Sequence, residues 1–533
     1  MSAGRARADL ALGAGGPLAV GLVAFVLARA ALLPGLATWD TGEFQVVGPL
    51  LGTAHPTGYP AYVLLTWLAS IIFLPLGEPA WRANLLSATL LATAAGLAVV
   101  LVRQLTGRAL VGLGTGLALT LAPLAWGMGT HADPHTLHLA LVAALLVLLV
   151  GWENRRAVAA PGADRWLLAA AAAYGVAVAN HSLSLLLAPA VGLYVLAVQP
   201  AIVLRPRLVL TCLGLAAGAA GLLYLELPLR AAMGARLVYG HPDTLDGFLY
   251  VVTGEQFRGD VLPLLGDLDR KALDLADRAF AELGPLAALV PAAFLATIIR
   301  RPRYALLSGV ALAVTCLFDA AYVNAEIDRY YLGPLLLAIS WLGVGAAVLV
   351  DAVVLAAGAP WWPRPGATPD TTATTKPGPT RGATSRRAAL VASLAAAALL
   401  AGPGLLAAPG TFARVDRSRD ITARLWVDGT LAMLPDGALL QSWWSFSTPL
   451  WYATLVEGRR PDVTVVDDRD LLDEDLGTVE DLLAANVGRR PVFVLRPGSE
   501  IGDLAARWVL ELWGDPAGLQ PVWRVVARRA EVP

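Results

Sequence analysis

Two carboxylates and a histidine form the first group of residues in this sequence that could carry out chemistry. Asp40 and Glu43 stand three positions apart where the chain leaves its first long apolar segment, and His55 follows in a His-Pro-Thr-Gly-Tyr-Pro turn. A carboxylate can accept the proton of a hydroxyl group while that hydroxyl attacks an electrophilic carbon. A retaining glycosidase needs two opposed carboxylates about 5 Å apart, whereas two acids on one short helix can orient one another.

The turn after the two acids offers further polar contacts. His55 and Tyr59 can each form a hydrogen bond with a phosphate or hydroxyl group. The ordinary alternative is structural: Asp40 caps a helix that begins at Thr41, and the prolines and glycine of the turn lie at a membrane surface. Taken alone, these residues support both interpretations equally.

A second polar group contains His131, Asp133, His135 and His138. A His-x-Asp-x-His spacing can hold a divalent metal ion. Pro134, however, is typical of the first turn of a helix, so that His135 and His138 lie on that helix and His131 precedes it. A metal site is therefore the least favoured of three interpretations, after a contact with substrate or lipid phosphate and a structural polar cluster. The sequence identifies no cofactor with certainty.

Polar residues also end or join later apolar segments. Asn180 and His181 end one segment, where they could cap a helix or face an aqueous cavity. Arg329 could bind a phosphate through two parallel hydrogen bonds, or it could pair with Asp328 while Tyr330 belongs to an interfacial aromatic belt. Two further arginines that could bind anions are Arg230 and Arg258.

The composition is that of an integral membrane protein. Of the 533 residues, 57% are hydrophobic and 15% are charged. Apolar runs near 20 residues recur, which is the length of a helix that crosses a bilayer. The net charge of -1 is divided among the loops without a basic patch, so nucleic acid is not predicted as a partner. Cys212 and Cys316 lie within apolar runs, so neither a disulfide nor a cysteine metal site is predicted.

Eleven apolar segments are predicted to span the membrane. They are 17–37, 82–102, 109–127, 135–152, 166–180, 182–199, 208–229, 283–299, 304–322, 330–356 and 388–408. The first follows Arg5 and Arg7 and lacks a clear cleavage site before Trp39, which predicts an uncleaved anchor. The segment 61–76 is short and bounded by prolines, so its placement is ambiguous from length alone.

The basic residues of the loops indicate where 61–76 lies. If this segment lies on the membrane surface, Arg5 and Arg7 share one side with most basic loop residues, and an excess of basic residues marks the cytoplasmic side. If it spans the membrane, every later loop changes side and the asymmetry is lost. We therefore predict a multi-pass plasma-membrane protein with a cytoplasmic N-terminus. All the polar motifs described above then fall on the outer face.

The sequence predicts two domains. Residues 1–409 form a helical transmembrane domain, with a first outer loop at 38–81 and a disordered cytoplasmic linker at 358–387 that is rich in Pro, Thr, Gly and Ala. Residues 410–533 have shorter apolar runs and more charge, which predicts a small α/β domain outside the membrane. Strands are predicted at 439–443, 463–466, 491–495 and 522–526, and helices at 447–458 and 501–514.

Several stretches resemble bacterial members of a family first catalogued as a domain of unknown function, whose animal member is an endoplasmic-reticulum protein O-mannosyltransferase. They are Trp39-Asp-Thr-Gly-Glu-Phe44, Gly52-Thr-Ala-His-Pro-Thr-Gly-Tyr-Pro60, Asn180-His181, Leu225-Glu-Leu-Pro-Leu-Arg230, Pro242-Asp-Thr-Leu-Asp-Gly-Phe248 and Asp328-Arg-Tyr-Tyr331. The resemblance covers most of residues 17–350, and the first two motifs in this order make it specific. It implies a membrane enzyme of the GT-C superfamily that uses a polyprenyl-phosphate-linked sugar on the non-cytoplasmic face.

The resemblance also implies roles for particular residues. By this resemblance Asp40 is the catalytic base, Glu43 and His55 support it or contact the substrate, and 41–52 and 61–76 are the interfacial helices of the first outer loop. The chain departs from the family before the fourth span, where Asp133-Pro134-His135 stands in place of Glu-Val-Tyr. That departure weakens any role inferred for these three residues.

The leading hypothesis is an inverting membrane glycosyltransferase. It would move a sugar, which the resemblance implies to be mannose, from a polyprenyl-phosphate donor to an exported acceptor such as a protein Ser/Thr hydroxyl. Asp40 would deprotonate the acceptor, and Arg329, helped by Arg230 or Arg258, would hold the donor phosphate. An envelope polysaccharide or lipid is the alternative acceptor. A transporter or flippase of lipid-linked sugars would need functional polar groups on both faces, and a non-catalytic scaffold would make Asp40 and Glu43 dispensable.

Overall fold

The structure is a computed structural model that describes the backbone of residues 3–357 and 379–529 and the side chains of residues 15–357 and 386–529. Most of the predicted linker, 358–387, lies outside the described residues. The membrane domain is helical throughout, and its helices start where the sequence places proline in a first turn, as at Pro79, Pro134 and Pro206.

Seventeen helices make up the described part of the membrane domain. In chain order they are α1 (Ala3–Ala30), α2 (Trp39–Leu50), α3 (Pro60–Ile72), α4 (Pro79–Thr106), α5 (Ala109–Leu121), α6 (Pro123–Met128), α7 (Pro134–Ala157), α8 (Asp164–Asn180), α9 (Ala188–Val198), α10 (Pro206–Tyr224), α11 (Glu226–Ala232), α12 (Leu245–Thr253), α13 (Leu268–Leu283), α14 (Val290–Arg300), α15 (Pro302–Asp319), α16 (Leu332–Ala356) and α17 (Pro379–Val415). Each of the eleven predicted spans overlaps at least one of these helices.

Six helical segments among the described residues are long and apolar enough to cross a membrane. They are Pro79–Thr106, Pro134–Ala157, Pro206–Ala232, Leu268–Arg300, Ile327–Ala356 and Arg386–Val415. The helix α3, which covers most of 61–76, has 13 residues. At 1.5 Å per residue it is about 20 Å long, against the roughly 30 Å of a bilayer core. The helix α5 has the same length, 13 residues, so length alone does not decide whether α3 crosses the membrane.

Small side chains let the membrane helices pack closely. Ala24 and Ala28 of α1 and Ala88 and Ala95 of α4 are all fully buried in one large core, which also includes α5, α7 and α16. In a bilayer, helix association depends on such close approach of backbones, because the lipid tails are as apolar as the side chains. The helix α4 lies at the centre of this bundle, against α1, α5 and α7.

The buried amide of Asn84, on α4, ties three outer segments to the bundle. Its Nδ2 donates to the carbonyl oxygens of Leu33 and Gly35, each at 3.0 Å. Its Oδ1 accepts from Nε2 of Gln45 on α2 and from the backbone N–H of Ala132, each at 2.9 Å. One side chain therefore fixes α2 relative to the segment that precedes α7.

A small α/β domain follows α17. It contains the helices α18 (Thr422–Met433), α19 (Trp444–Trp451), α20 (Asp468–Asp473), α21 (Val479–Asn486) and α22 (Gly498–Arg507), and the strands β1 (Leu439–Gln441), β2 (Thr464–Val466), β3 (Val492–Val494), β4 (Trp508–Gly514) and β5 (Val522–Arg528). The sheet order is β2-β1-β3-β5-β4, with β1 parallel to β2 and β3, and β5 antiparallel to β3 and β4. A polytopic helical membrane protein with a small C-terminal α/β domain is thus confirmed.

The prediction of one helix over 501–514 is wrong in its second half. The helix α22 ends at Arg507, and residues 508–514 form β4. The run Trp508-Val-Leu-Glu-Leu-Trp-Gly514 is rich in aromatic and aliphatic residues, which are compatible with a strand. The pairing of this run with β5 makes it a strand. That pairing involves residues further along the chain, so the pattern within 501–514 does not reveal it.

The C-terminal domain packs directly on the first outer loop through a second core. Phe44 of α2, Tyr62 of α3 and Trp426 of α18 are almost fully buried in it. The close approach requires a glycine, since a Cβ atom at Gly42 would lie 2.5 Å from Oγ1 of Thr448 on α19. The two domains therefore meet at α2, which carries Asp40.

Candidate active site

A cavity of about 730 Å³ lies where the loop 38–81, the ends of several membrane helices and the C-terminal domain meet. Its polar and aromatic lining comprises Trp39, Asp40, His55, Thr57, Tyr59, His181, Ser182, Tyr239, Thr253, Gln256, Phe257, Arg258, Phe318, Tyr322, Asn324, Glu326, Arg329, Tyr330, Trp443, Trp444, Asp467, Asp468 and Arg469. The predicted site residues Asp40, His55, Tyr59, His181, Arg258, Arg329 and Tyr330 are therefore brought together. This volume falls in the range of small-molecule sites.

Asp40 lies in the first turn of α2, with both carboxylate oxygens bound by side chains. Arg329 donates from Nη2 to Oδ2 at 2.6 Å, and Trp444 donates from Nε1 to Oδ1 at 3.0 Å. The residue that precedes the helix is Thr38, so Asp40 is not its cap. Burial by itself raises the pKa of this carboxyl group, but attraction to His55 and Arg329 outweighs burial and holds the pKa below its ordinary value of 3.8. Asp40 is therefore ionised at neutral pH.

Glu43 lies one helical turn after Asp40 and holds His55. It is fully buried; its Oε1 accepts from the backbone N–H of His55 at 2.7 Å, and its Oε2 pairs with Nδ1 of the imidazole. The other ring nitrogen, Nε2, faces the hydroxyl group of Tyr59 at 3.2 Å. Burial lowers the pKa of His55, but attraction to Glu43 and Asp40 outweighs it and raises the pKa above 6.5. Glu43 does not line the cavity, and its contacts are with His55.

Arg329 lies among three carboxylates. Besides Asp40, its Nη1 contacts Oδ2 of Asp133 at 3.1 Å and Oε2 of Glu326 at 2.9 Å. Asp133 also caps α7, since its Oδ1 accepts from the backbone N–H of His135 at 2.7 Å and contacts Nδ1 of that ring at 2.9 Å. Arg329 is thus fixed mainly by anions of this chain, and in this arrangement it orients Asp40.

Of the two interpretations of Arg329, the surface pair with Asp328 is not found in the structure. Asp328 pairs instead with Arg278 of α13, and its side chain is 69% exposed. Neighbouring residues of a short helical turn point in different directions, so Arg329 turns inward while Asp328 faces solvent. Asp328 does not line the cavity.

Near the start of α7, His131, His135 and His138 each contact a different residue. His131 contacts Oγ1 of Thr130 at 3.3 Å, and His138 contacts Oγ of Ser184 at 3.2 Å. Burial lowers the pKa of His131 to about 3, so its ring is neutral at neutral pH. In the part of the chain that the structure describes, no group of three or more His, Cys, Asp or Glu side chains is placed to hold a metal ion.

His181 is the histidine of this region that lines the cavity. Its ring centroid lies 4.7 Å from that of His135 and 5.5 Å from that of Tyr330. Its Nδ1 accepts from the backbone N–H of Leu183 at 3.0 Å, while its Nε2 has no hydrogen-bond partner among the described residues. The neighbouring Asn180 donates from Nδ2 to the carbonyl oxygen of Pro134 at 3.1 Å and so joins α8 to α7.

The two arginines of the large outer loop have different surroundings. Arg230 donates from Nε to the carbonyl oxygen of Leu51 at 2.7 Å, at the C-terminal end of α2, and does not line the cavity. A cation at that helix end stabilises α2 through the helix dipole. Arg258 lines the cavity, donates from Nη2 to Oγ1 of Thr253 at 2.8 Å and has a side chain that is 62% exposed.

Trp444, Arg469 and Glu326 belong to the cavity, although the sequence did not single them out as site residues. The sequence signal that could have found Trp444 is the tryptophan group Trp443, Trp444 and Trp451, which is compatible with a stacking platform for a sugar or with a domain core. Trp444 and Asp40 are 404 positions apart, and no local pattern reports a contact over such a distance. Trp39 and Trp443 also meet edge to face, with ring centroids 5.5 Å apart.

The sequence is similar to that of protein O-mannosyl-transferases. Residues 40–201 match the family described as the protein O-mannosyl-transferase TMEM260 N-terminal domain. A stretch of 233 residues is 33% identical to the protein O-mannosyl-transferase TMEM260 of Mus musculus and covers 42% of this chain and 31% of the mouse protein. The chain thus spans just under a third of the length of that relative.

The fold is similar to that of ArnT from Cupriavidus metallidurans. With ArnT bound to undecaprenyl phosphate the TM-score is 0.58 at 16% sequence identity, over 96% of this chain and 98% of ArnT. With the apo state the TM-score is 0.57, also at 16% identity, over the full length of both chains. At this level of identity the similarity concerns the fold. The chain therefore has a fold like that of ArnT and is similar, over residues 40–201, to the protein O-mannosyl-transferase TMEM260 N-terminal domain.

Proposed function

We propose that this protein is a membrane glycosyltransferase that moves a sugar from a polyprenyl-phosphate donor to a hydroxyl group of an exported acceptor. The observation that carries the proposal is Asp40, an ionised carboxylate that Arg329 and Trp444 hold at the wall of a 730 Å³ cavity. The match to an O-mannosyl-transferase family begins at this residue. Mannose and protein Ser/Thr hydroxyls are the sugar and the acceptor that this relationship favours.

Asp40 acts as the general base in this proposal. Each carboxylate oxygen can accept two hydrogen bonds, so the contacts with Arg329 and Trp444 leave room for an acceptor hydroxyl. The hydroxyl oxygen attacks the anomeric carbon, and its proton passes to Asp40 as the new bond forms and the hydroxyl becomes acidic. A single displacement inverts the anomeric configuration.

The donor side of the cavity needs no general acid. A polyprenyl phosphate is a good leaving group, so one carboxylate suffices for the reaction. Leu183, Leu185, Val261 and Phe318 line the cavity beside its polar residues, and they offer an apolar surface to the start of a polyprenyl chain. The similarity in fold to ArnT, which was solved with undecaprenyl phosphate, supports this class of donor.

Comparison of glycans in cells with and without this protein tests the proposed function. We expect one class of glycan, on exported proteins, to disappear when the protein is absent and to return with the wild-type protein but not with Asp40→Asn. Loss of a sugar from an envelope polysaccharide or lipid instead would identify the alternative acceptor. An unchanged set of glycans on proteins, polysaccharides and lipids would contradict the proposal.

Trp444→Phe should lower kcat about tenfold while changing KM little. The ring remains, but Asp40 loses one of the two donors that fix its orientation, and a small misplacement of a catalytic group is costly. The lost hydrogen bond also lowered the pKa of Asp40, so the acid limb of the pH–rate profile should move to higher pH. A kinetic pH profile measures both effects.

Trp513→Phe is the matched control for Trp444→Phe. It removes an indole hydrogen bond of the same domain, from Nε1 to the carbonyl oxygen of Met433 at 3.0 Å, away from the cavity. Equal kinetics for Trp444→Phe and Trp513→Phe would show that the contact with Asp40 has no role in catalysis.

The proposed topology places the C-terminal domain outside the membrane. A cysteine introduced at the exposed position Ser499 should react with a membrane-impermeant maleimide in intact cells, because this position would face the exterior. A cysteine at Ala157, at the end of α7, should react only after the cells are opened, since that end would be cytoplasmic. Labelling in the reverse pattern would contradict the topology.

A further inference from the structure

Arg469 brings a buried guanidinium group from the C-terminal domain to the cavity. It is the second residue of α20, it lines the cavity, and it is 7% exposed. Its Nε and Nη1 atoms have no hydrogen-bond partner among the described residues. Buried polar groups in native proteins are nearly always hydrogen-bonded, so these donors are suited to bind an acceptor group of a ligand.

The surroundings of Arg469 hold it in one orientation. The aromatic rings of Tyr239 and Trp451 lie 5.0 and 4.9 Å from its central carbon. Asp470 accepts from Nη2 at 3.1 Å, and Asp473 lies 3.8 Å from Nε. Two rings and two carboxylates therefore fix the group, while Nη1 keeps its donors for a ligand.

The other arginines that line the cavity are less suited to bind an anion. The Nε atom of Arg329 also has no hydrogen-bond partner among the described residues. Its two Nη atoms, however, contact three carboxylates, those of Asp40, Asp133 and Glu326, which already balance its charge. Arg258 is 62% exposed, so water competes for its donors and screens its charge. A buried guanidinium group interacts more strongly with an anion, because the local dielectric is lower.

We propose that Arg469 binds the phosphate of the polyprenyl-phosphate donor and of the polyprenyl-phosphate product. The inference rests on the proposed function. During transfer the bond between the anomeric carbon and the phosphate oxygen breaks, and its electron pair stays on that oxygen. The acceptor oxygen bonds to the anomeric carbon, and its proton goes to Asp40. The phosphate group thus gains one negative charge, from -1 to -2, and a guanidinium N–H stabilises the charge that develops.

The position of α20 agrees with a contact to a lipid headgroup. Leu472, on the same helix, lines the cavity and is 79% exposed. A large exposed aliphatic side chain beside a polar cavity is suited to the membrane interface, which is the depth of the donor phosphate. The C-terminal domain therefore forms part of the donor site.

Binding of undecaprenyl phosphate and of undecaprenol to the purified full-length protein in detergent tests this inference. The two lipids differ only in the phosphate group. Arg469→Gln should weaken binding of undecaprenyl phosphate at least about tenfold and leave binding of undecaprenol unchanged, since a hydrogen bond to a charged group is lost. The affinity of Arg469→Lys for undecaprenyl phosphate should fall between those of the wild-type protein and Arg469→Gln. Lysine keeps the positive charge but lacks the planar guanidinium group that forms two parallel hydrogen bonds. Arg507→Gln, at a 60% exposed arginine of the same domain, is the control.

The outcomes separate the inference from the proposed function. If the wild-type protein binds undecaprenyl phosphate no better than undecaprenol, the donor class of the proposed function is wrong. If the wild-type protein prefers the phosphate and Arg469→Gln binds it equally well, the assignment to Arg469 is wrong. Loss of both lipids in Arg469→Gln with a lower unfolding temperature would mean a structural role and would also overturn the assignment.

Discussion

Asp40→Asn should lower kcat for sugar transfer by about 10³-fold or more, while KM for the lipid-linked donor changes little. The carboxamide has almost the shape of the carboxylate and still accepts a hydrogen bond from Trp444, but it cannot take up a proton. General base catalysis contributes about 10²–10⁴-fold to enzymatic rates. The variant also leaves Arg329 with two carboxylate partners in place of three, those of Asp133 and Glu326.

The control for Asp40→Asn is Asp436→Asn. Asp436 is fully exposed and lies outside the cavity, so its variant should be as active as the wild type. Circular dichroism and the unfolding temperature should show that both variants fold. A kcat for Asp40→Asn within tenfold of the wild-type value would remove Asp40 from the role of base.

Arg329→Gln should both destabilise the protein and abolish transfer. Asp133 is nearly fully buried, and it would lose its cationic partner along with Asp40. Removal of one partner from a buried ion pair costs about 3–5 kcal/mol, because the remaining charge is left uncompensated. Thermal unfolding in detergent should therefore show a clear fall in the unfolding temperature, and the kinetic assay should show no measurable turnover.

A double variant separates the two effects of Arg329→Gln. Adding Asp133→Asn removes one of the buried carboxylates that lost its partner, so part of the stability should return. Transfer should not return, because Asp40 still lacks the donor that orients it. Recovery of activity together with stability would show that Arg329 serves only folding.

The membrane fold could be predicted because its signal is local. A run of about 20 apolar residues can satisfy its backbone in lipid only as a helix, and each predicted span overlaps a helix of the structure. The C-terminal sheet was harder to predict. The stretch 508–514 is compatible with either helix or strand, and its pairing with β5 is a contact between distant residues.

The site was predictable to the extent that its residues are close in sequence. Asp40, Glu43 and His55 lie within sixteen consecutive positions, and Glu43 holds His55 across a separation of 12 residues. The contacts that fix Asp40 cross 289 positions to Arg329 and 404 positions to Trp444. Such contacts depend on how the helical turn Ile327–Tyr331 and the C-terminal domain lie against α2, and no spacing rule in the sequence encodes that arrangement.

The central claim is that the protein catalyses cleavage of a sugar–phosphate bond, with Asp40 as the general base. Reconstituted vesicles test this claim most directly. The vesicles carry the purified protein and ¹⁴C-labelled lipid-linked sugars extracted from cells, and the acceptors are exported proteins and envelope polymers from cells that lack the protein. We expect the label to move to an acceptor with release of polyprenyl phosphate for the wild-type protein, and not for Asp40→Asn. A different result would contradict the claim and indicate a flippase: the labelled lipid crosses the bilayer with its sugar still attached. In that case both proteins would move the lipid equally, and no acceptor would be labelled.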